Sequence, residues 1–189
     1  MPIVSKHVPA ELSSSFYKNN KAICEEYETF INDIGGKTKG YYSCYSFNVL
    51  TMFQSKSKYK WNMRFQKFSY NQTYVFSKKS LLSELLYTSQ WFSNNYYTNC
   101  PPFLITKGTF IQMIQCLLSK KWNQLPRQPN YIIKCENPDH PTIRKINDLL
   151  SKLYLSQEVY EIHYESPKLI IDIRSDKIHK NEMKNLLKL

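Results

Sequence analysis

The sequence predicts an α+β fold: a helix, an antiparallel three-stranded meander and two helices, then a smaller lobe built as strand, helix, hairpin and helix. Three observations lead to it. Apolar residues recur at helical intervals in residues 22–34, 78–92 and 109–123; they alternate with polar ones at a period of two in residues 59–66; and the charge pattern changes around the proline-containing segment 125–130. Residues 1–21 read as a lead-in segment, 22–125 as a basic, aromatic-rich lobe and 130–189 as a charge-balanced lobe, the two being small enough to make one compact domain.

The polar run 13–21 reads as a loop. From Ala22 to Ile34 the residues Ile23, Tyr27, Phe30, Ile31 and Ile34 approximate a helical stripe, which Gly35-Gly36 ends because glycine tolerates the left-handed backbone of a helix cap. Residues 41–53 are aromatic or aliphatic on both faces, as in a covered strand. Tyr59, Trp61, Met63 and Phe65 alternate with Lys60, Asn62, Arg64 and Gln66, so the second strand has one buried face and one basic face. At Lys67-Phe68 the phase slips, marking a bulge or the strand's end, and 73–76 is the third strand.

Ser77 is an apt N-cap for a helix carrying Leu81, Leu82, Leu85, Leu86, Trp91 and Phe92. Cys100-Pro101-Pro102 makes 94–107 a loop, and another helix follows from about Thr109 to Asn123. Beyond 125–130 come a strand at 131–135, a helix at 142–154, strands 158–164 and 168–174 joined by Ser166-Pro167, and a helix from Asp176.

Charge separates these regions more sharply than hydropathy does. The formal charge of +11 resides in residues 34–135, which hold fourteen basic side chains against one acid, Glu84; residues 136–189 hold nine of each sign. Between Ile34 and Ser83 there is no carboxylate, and such a block repels itself unless a polyanion or solvent matches it. An AT-rich genome explains 22 lysines against four arginines, but not the disappearance of acids over one stretch and their return afterwards. Seventeen aromatic residues between Tyr41 and Tyr97 interleave with the lysines, and rings that stack on bases beside lysines that meet phosphates are the composition of a nucleic-acid surface.

The candidate nucleic-acid-binding residues are therefore Lys56, Lys58, Lys60, Arg64, Lys67, Lys78 and Lys79. Lysine meets phosphate as a point charge, so the expectation is backbone-led binding of DNA or RNA, as in a regulatory, replication or ribosome-associated factor. Two other readings compete: a protein whose basic face docks on an acidic protein partner, and a small metal-dependent nuclease. The order helix, three strands, helix over residues 22–93, with Ser77-Lys78-Lys79 opening the second helix, resembles the double-stranded-RNA-binding domain. The chain departs from that pattern at Leu82, where the family has a third lysine, in lacking Gly-x-Gly before the serine, and in a leucine-rich rather than alanine-rich helix.

No catalytic, metal or cofactor site is expected. The histidines His7, His140, His163 and His179 lack metal-ligand spacing, and the five cysteines never approach C-x-x-C. Gly35-Gly36-Lys37 lacks the rest of a phosphate loop, and Cys135 with His140, or Asp139, Glu165 and Asp172 beside Lys168, match nucleophile–base and nuclease patterns only loosely. The cysteine pattern, with no signal-peptide or membrane-spanning run, leads one to expect a soluble intracellular protein, nuclear or cytoplasmic, with no membrane partner. With Mg²⁺ or Mn²⁺ present, the purified protein should leave single- and double-stranded DNA and RNA intact; cleavage that disappears in Asp139→Ala or Glu165→Ala would establish the nuclease instead.

Overall fold

The computed structural model describes residues 3–53, 59–72, 82–109 and 122–188. Among these residues the chain forms a ten-stranded mixed sheet with four α-helices, which replaces the expected layout of a helix, a three-stranded meander and two helices ahead of a smaller lobe. The strands are β1 (Ile3–Ser5), β2 (Gly36–Tyr42), β3 (Phe47–Phe53), β4 (Trp61–Gln72), β5 (Leu82–Ser93), β6 (Phe103–Lys107), β7 (Trp122–Gln124), β8 (Tyr131–Lys134), β9 (Val159–Glu165) and β10 (Lys168–Ile173). Their order is β1-β2-β3-β4-β5-β10-β9-β6-β8-β7, and the sheet is mixed because β1 runs parallel to β2. The helices are α1 (Ser15–Asp33), α2 (Pro141–Leu149), α3 (Ser151–Leu155) and α4 (Lys180–Leu186).

Two compact units share this chain. Unit 1 comprises Met1–Gln54, Met63–Ser89 and Ser175–Ile178; unit 2 comprises Ser55–Asn62, Gln90–Arg174 and His179–Leu189.

In unit 1, α1 starts at Ser15, within the run expected to be a loop, because its buried seam is Tyr17, Asn20, Cys24, Tyr27 and Ile31 at spacings of three and four. The polar Asn20 within that seam disguised its first turns. Gly35, at φ +79°, ends the helix, and its N–H donates to the Asn32 carbonyl (3.0 Å). The chain then enters β2 at Gly36. The single strand expected over 41–53 is two strands, divided by a turn in which Ser43 N–H donates to the Ser46 carbonyl (2.8 Å) and Ser46 N–H to Ser43 Oγ (3.1 Å).

The inner face of β2, β3 and β4 presents Thr38, Phe47, Val49, Thr51, Met63 and Phe65, all buried. Phe65 packs on Tyr27 and Phe47 at centroid separations of 5.3 and 4.9 Å, pairs that each contribute about 0.5–1.5 kcal/mol beyond their buried area. Thr51 Oγ1 donates to the Tyr27 hydroxyl (3.1 Å), giving that ring's polar end a partner inside the core.

The phase of β4 does not slip at Lys67. The strand runs unbroken to Gln72, and Lys67 takes the inward position that follows Phe65, only 2% exposed. Its Nζ donates to Asn20 Oδ1 (2.9 Å) and lies over the Tyr87 ring, 5.3 Å from the centroid. Asn20 Nδ2 in turn donates to the carbonyls of Ser43 and Cys44 (2.9 and 3.0 Å).

Residues 82–93, expected as helix, are strand: Ser89, Trp91 and Ser93 are buried while Gln90 and Phe92 are half-buried, a period of two. Short leucine-rich runs fit either period, and the strands on both sides decide between them. The resemblance to the double-stranded-RNA-binding domain loses its second helix with this correction. The third strand expected at 73–76 lies outside the described residues.

Unit 2 gathers its core around one transverse row, in which Ile133, Ile105, Ile162 and Ile171 are register partners across β8, β6, β9 and β10. Beside that row, Tyr164 faces Leu169 and Phe103, and the Tyr131 and Tyr154 rings meet edge-on at 4.7 Å. Buried Phe103 and Ile105 make β6 a strand where proline suggested a loop. Trp122–Gln124 is strand rather than helix, residues 110–121 lie outside the described residues, and 125–130 is the turn that returns β7 to β8, closed by Leu125 N–H to the Tyr131 carbonyl (2.9 Å). The expected helix 142–154 is α2 followed by α3, with Ile143, Ile146, Leu153 and Tyr154 buried.

Asn20 is the shared partner of three buried polar groups, so its removal should cost more than removal of the amine. Asn20→Ala should destabilise the fold by about 3 kcal/mol or more, and Lys67→Met by clearly less, because only the first change strands two carbonyls and an amine at once. Urea titration of both variants measures the difference.

Candidate nucleic-acid interface

The pleat that sends one set of residues under α1 sends the alternate set to the outer face of unit 1. There Lys37 and Lys39 of β2 are exposed, Leu50 and Met52 of β3 stand opposite them in register, and Tyr41 stands opposite Asn48. Beyond β2, Val4 pairs with Tyr41, and Lys6 brings its Nζ to 4.1 Å from the Tyr41 centroid. Beyond β3, Arg64 of β4 is exposed. A groove of about 450 Å³ runs between them, lined by Lys6, Lys39, Tyr41, Asn48, Leu50 and Arg64 together with Val4 and Gly40.

Gly40, in phase with inward-facing Thr38 and Tyr42, lets β2 and β3 approach closely. A Cβ at this position would lie 2.1 Å from the Asn48 carbonyl oxygen and 2.8 Å from Val49 Cα, both backbone atoms, so the close approach of β2 and β3 admits no side chain there.

Electrostatically the face is one-sided. None of β1 to β4 contains an aspartate or glutamate, and among the described residues Lys6, Lys37, Lys39 and Arg64 make no ion pair. The glutamates of α1 lie elsewhere: Glu25 pairs with Lys21 (3.7 Å), and Glu28 accepts from Thr38 Oγ1 (2.8 Å) on the inner side of β2.

Of the residues singled out from sequence, Arg64 lies in this groove. Lys60 is exposed just ahead of β4 within unit 2, its backbone N–H donating to Asn95 Oδ1 (2.7 Å). Lys67 is withdrawn from any surface by its place in the core. Lys56, Lys58, Lys78 and Lys79 lie outside the described residues. Lys37, Lys39 and Tyr41 belong to the acid-free, aromatic-rich stretch but, like Lys6, are not among the candidate contacts, although Lys37-Thr38-Lys39 alternates with the period of a strand; the two preceding glycines read as a helix stop and hid the strand's start.

The outer face of unit 2 is chemically different. A cavity of about 800 Å³ there is lined by Lys134 and His163 but also by Glu136 and Glu165, with Leu104 and Cys135 between them. Burial pushes the Cys135 thiol up, away from a thiolate nucleophile, and His140 accepts through Nδ1 from Thr142 N–H (3.2 Å) as the cap of α2. Asp139 is paired with Arg144 (3.0 Å). Asp172 accepts from Gln90 Nε2 (2.9 Å), and its carboxyl is held above the ordinary range by burial, a rise that Gln90 and Arg174 oppose. Among the described residues no three His, Cys, Asp or Glu side chains are grouped to hold a metal ion, and no helix is long and apolar enough to cross a membrane.

Comparison with known proteins brings nothing to set beside this geometry: the chain matches no known family, no curated protein and no solved structure.

Four cysteines are free among the described residues, and burial raises the thiols of Cys24 and Cys100 as it does that of Cys135. Burial, with Glu28 and Glu25 nearby, pushes Cys24 up to about 12, and burial next to Cys135 pushes Cys100 up to about 11. At pH 8 the thiolate fraction of Cys24 is then about one part in ten thousand. Iodoacetamide at pH 8 should leave Cys24 and Cys100 unmodified in the native protein and alkylate both in urea, as peptide mass mapping would show.

Proposed function

We propose that this protein binds nucleic acid through the outer face of β1 to β4, holding phosphates with Lys6, Lys37, Lys39 and Arg64. One observation carries the reading: three cationic side chains, Lys6, Lys39 and Arg64, line a groove with an aromatic ring in it, Lys37 is exposed on the same face, and the strands of that face contain no carboxylate. Cations so arranged repel one another until an anion arrives, and a phosphate backbone supplies anions at regular intervals. The reading assigns the chain no catalysis of its own and places its work inside the cell, in nucleus or cytoplasm, where free thiols persist and nucleic acid is found.

Unit 2 supports this assignment by contrast. Lysines and acids are mixed on its surface, so it offers no comparable field and serves as an internal control. Affinity for a mixed-sequence oligonucleotide should fall steeply with salt. A folded variant with Lys37→Gln, Lys39→Gln and Arg64→Gln should bind at least tenfold more weakly and flatten the slope of log K against log salt by about 2 to 3. Changing Lys168, Lys180, Lys184 and Lys188 of unit 2 to Gln should alter affinity less than threefold. Equal losses in the two variants would mean diffuse charge rather than a site, and no binding at low salt would favour an acidic protein as the partner.

A further inference from the structure

The face that holds the cations is not purely cationic, and its apolar part is informative about the ligand. Across β1, β2 and β3 the register sets Val4, Tyr41 and Asn48 in one row, Lys39 and Leu50 in the next, and Lys37 and Met52 in a third. Val4 and Met52 are 50% and 41% exposed, large apolar groups held in water between lysines. Along β2, side chains two residues apart stand roughly 7 Å from one another, so Lys37, Lys39 and Tyr41 present two cations and then a ring at equal steps.

We infer that the ligand is a single-stranded nucleic acid lying across this face, with phosphates on Lys37, Lys39 and Arg64 and a base stacked against Tyr41. The inference rests on the nucleic-acid reading above and deepens it. A duplex turns its base faces inward and offers such a surface only phosphates and groove edges. Four strands span about 14 Å between their outer axes, more than the major-groove width of about 12 Å, so the sheet cannot enter that groove flat. Tyr41, Leu50 and Val4 would then face the charged backbone and gain nothing. An unpaired strand supplies both chemistries at once, anionic oxygens for the lysines and flat apolar rings for the centre of the groove.

Lys6 completes the arrangement. Its Nζ lies over the Tyr41 ring, 4.1 Å from the centroid, which holds the ring before a base arrives and adds a cation to the lining of the groove. Asn48, opposite Tyr41, offers both a donor and an acceptor to a base edge, which accommodates different bases and makes strong sequence preference unnecessary.

The test uses the full chain and fluorescence anisotropy with a twelve-nucleotide mixed-sequence strand, as DNA and as RNA, against the duplex of the same sequence. At least one of the two single strands should bind tenfold or more tightly than its duplex. Tyr41→Ala should weaken single-strand binding by roughly 5- to 150-fold, the range for loss of one stacked base, while Tyr41→Phe keeps it within twofold. Should Tyr41→Ala fail to fold, ultraviolet crosslinking of a 5-iodouridine strand to the unaltered protein should label the peptide containing Tyr41. Duplex binding as tight as single-strand binding, an unaffected Tyr41→Ala, or a crosslink confined to other peptides would overturn the inference. If affinity still depended on Lys37, Lys39 and Arg64 in those cases, the nucleic-acid reading would survive; loss of all oligonucleotide binding would remove both.

Discussion

The seam of α1 against the inner face of β2, β3 and β4 is the constraint from which the rest of unit 1 follows. Tyr17, Asn20, Cys24, Tyr27 and Ile31 cover that face, and each strand must then present Thr38, Val49, Thr51, Met63 or Phe65 beneath them. A strand has only two sides. Once every second residue is held under a helix, the intervening ones have no choice of direction, and a register slip of one residue would drive Lys37, Lys39 and Arg64 into the aromatic core. The positions of the cations are therefore fixed by hydrophobic packing on the opposite side of the sheet.

One lysine is on the wrong side by that rule, and the structure accommodates it with hydrogen bonds. Lys67 reaches Asn20, and Asn20 reaches the two carbonyls of the turn between β2 and β3, so an inward lysine and an otherwise awkward turn are satisfied by a single amide. A buried polar group is tolerable only when its partners are complete, and here each member depends on the next. The arrangement ties α1, β4 and that turn together in a geometry that apolar side chains alone would specify less strictly. It also joins the turn to the helix that anchors the strands of the basic face.

The two outer faces show how charge becomes a site. In unit 1, cations collect around a groove where β1 to β4 contain no acid. In unit 2, Lys134 and His163 share their cavity with Glu136 and Glu165, while Asp139 and Asp172 are engaged by Arg144 and Gln90. Overall charge is positive in the chain as a whole, but only one of these surfaces has the uniform sign that a polyanion requires.

Much of this was open to reading before any coordinates. The acid-free block, the buried-and-basic alternation of residues 59–66, the exposure of Arg64 and the hairpin around Ser166-Pro167 all follow from local chemistry: charge is additive along a chain, and a two-residue period is visible wherever one face is apolar. What the tertiary structure alone decided is where local signals conflict. Residues 82–93 satisfy both periods and became strand because a sheet was there to receive them; Lys67 broke the apolar pattern yet stayed in phase because Asn20, distant in sequence, supplied its partner. Lys6 met Tyr41, and Lys39 joined Arg64, only through pairing of strands far apart along the chain. A sequence displays the period of each strand, but the neighbour of each strand is chosen by the packing of the whole sheet.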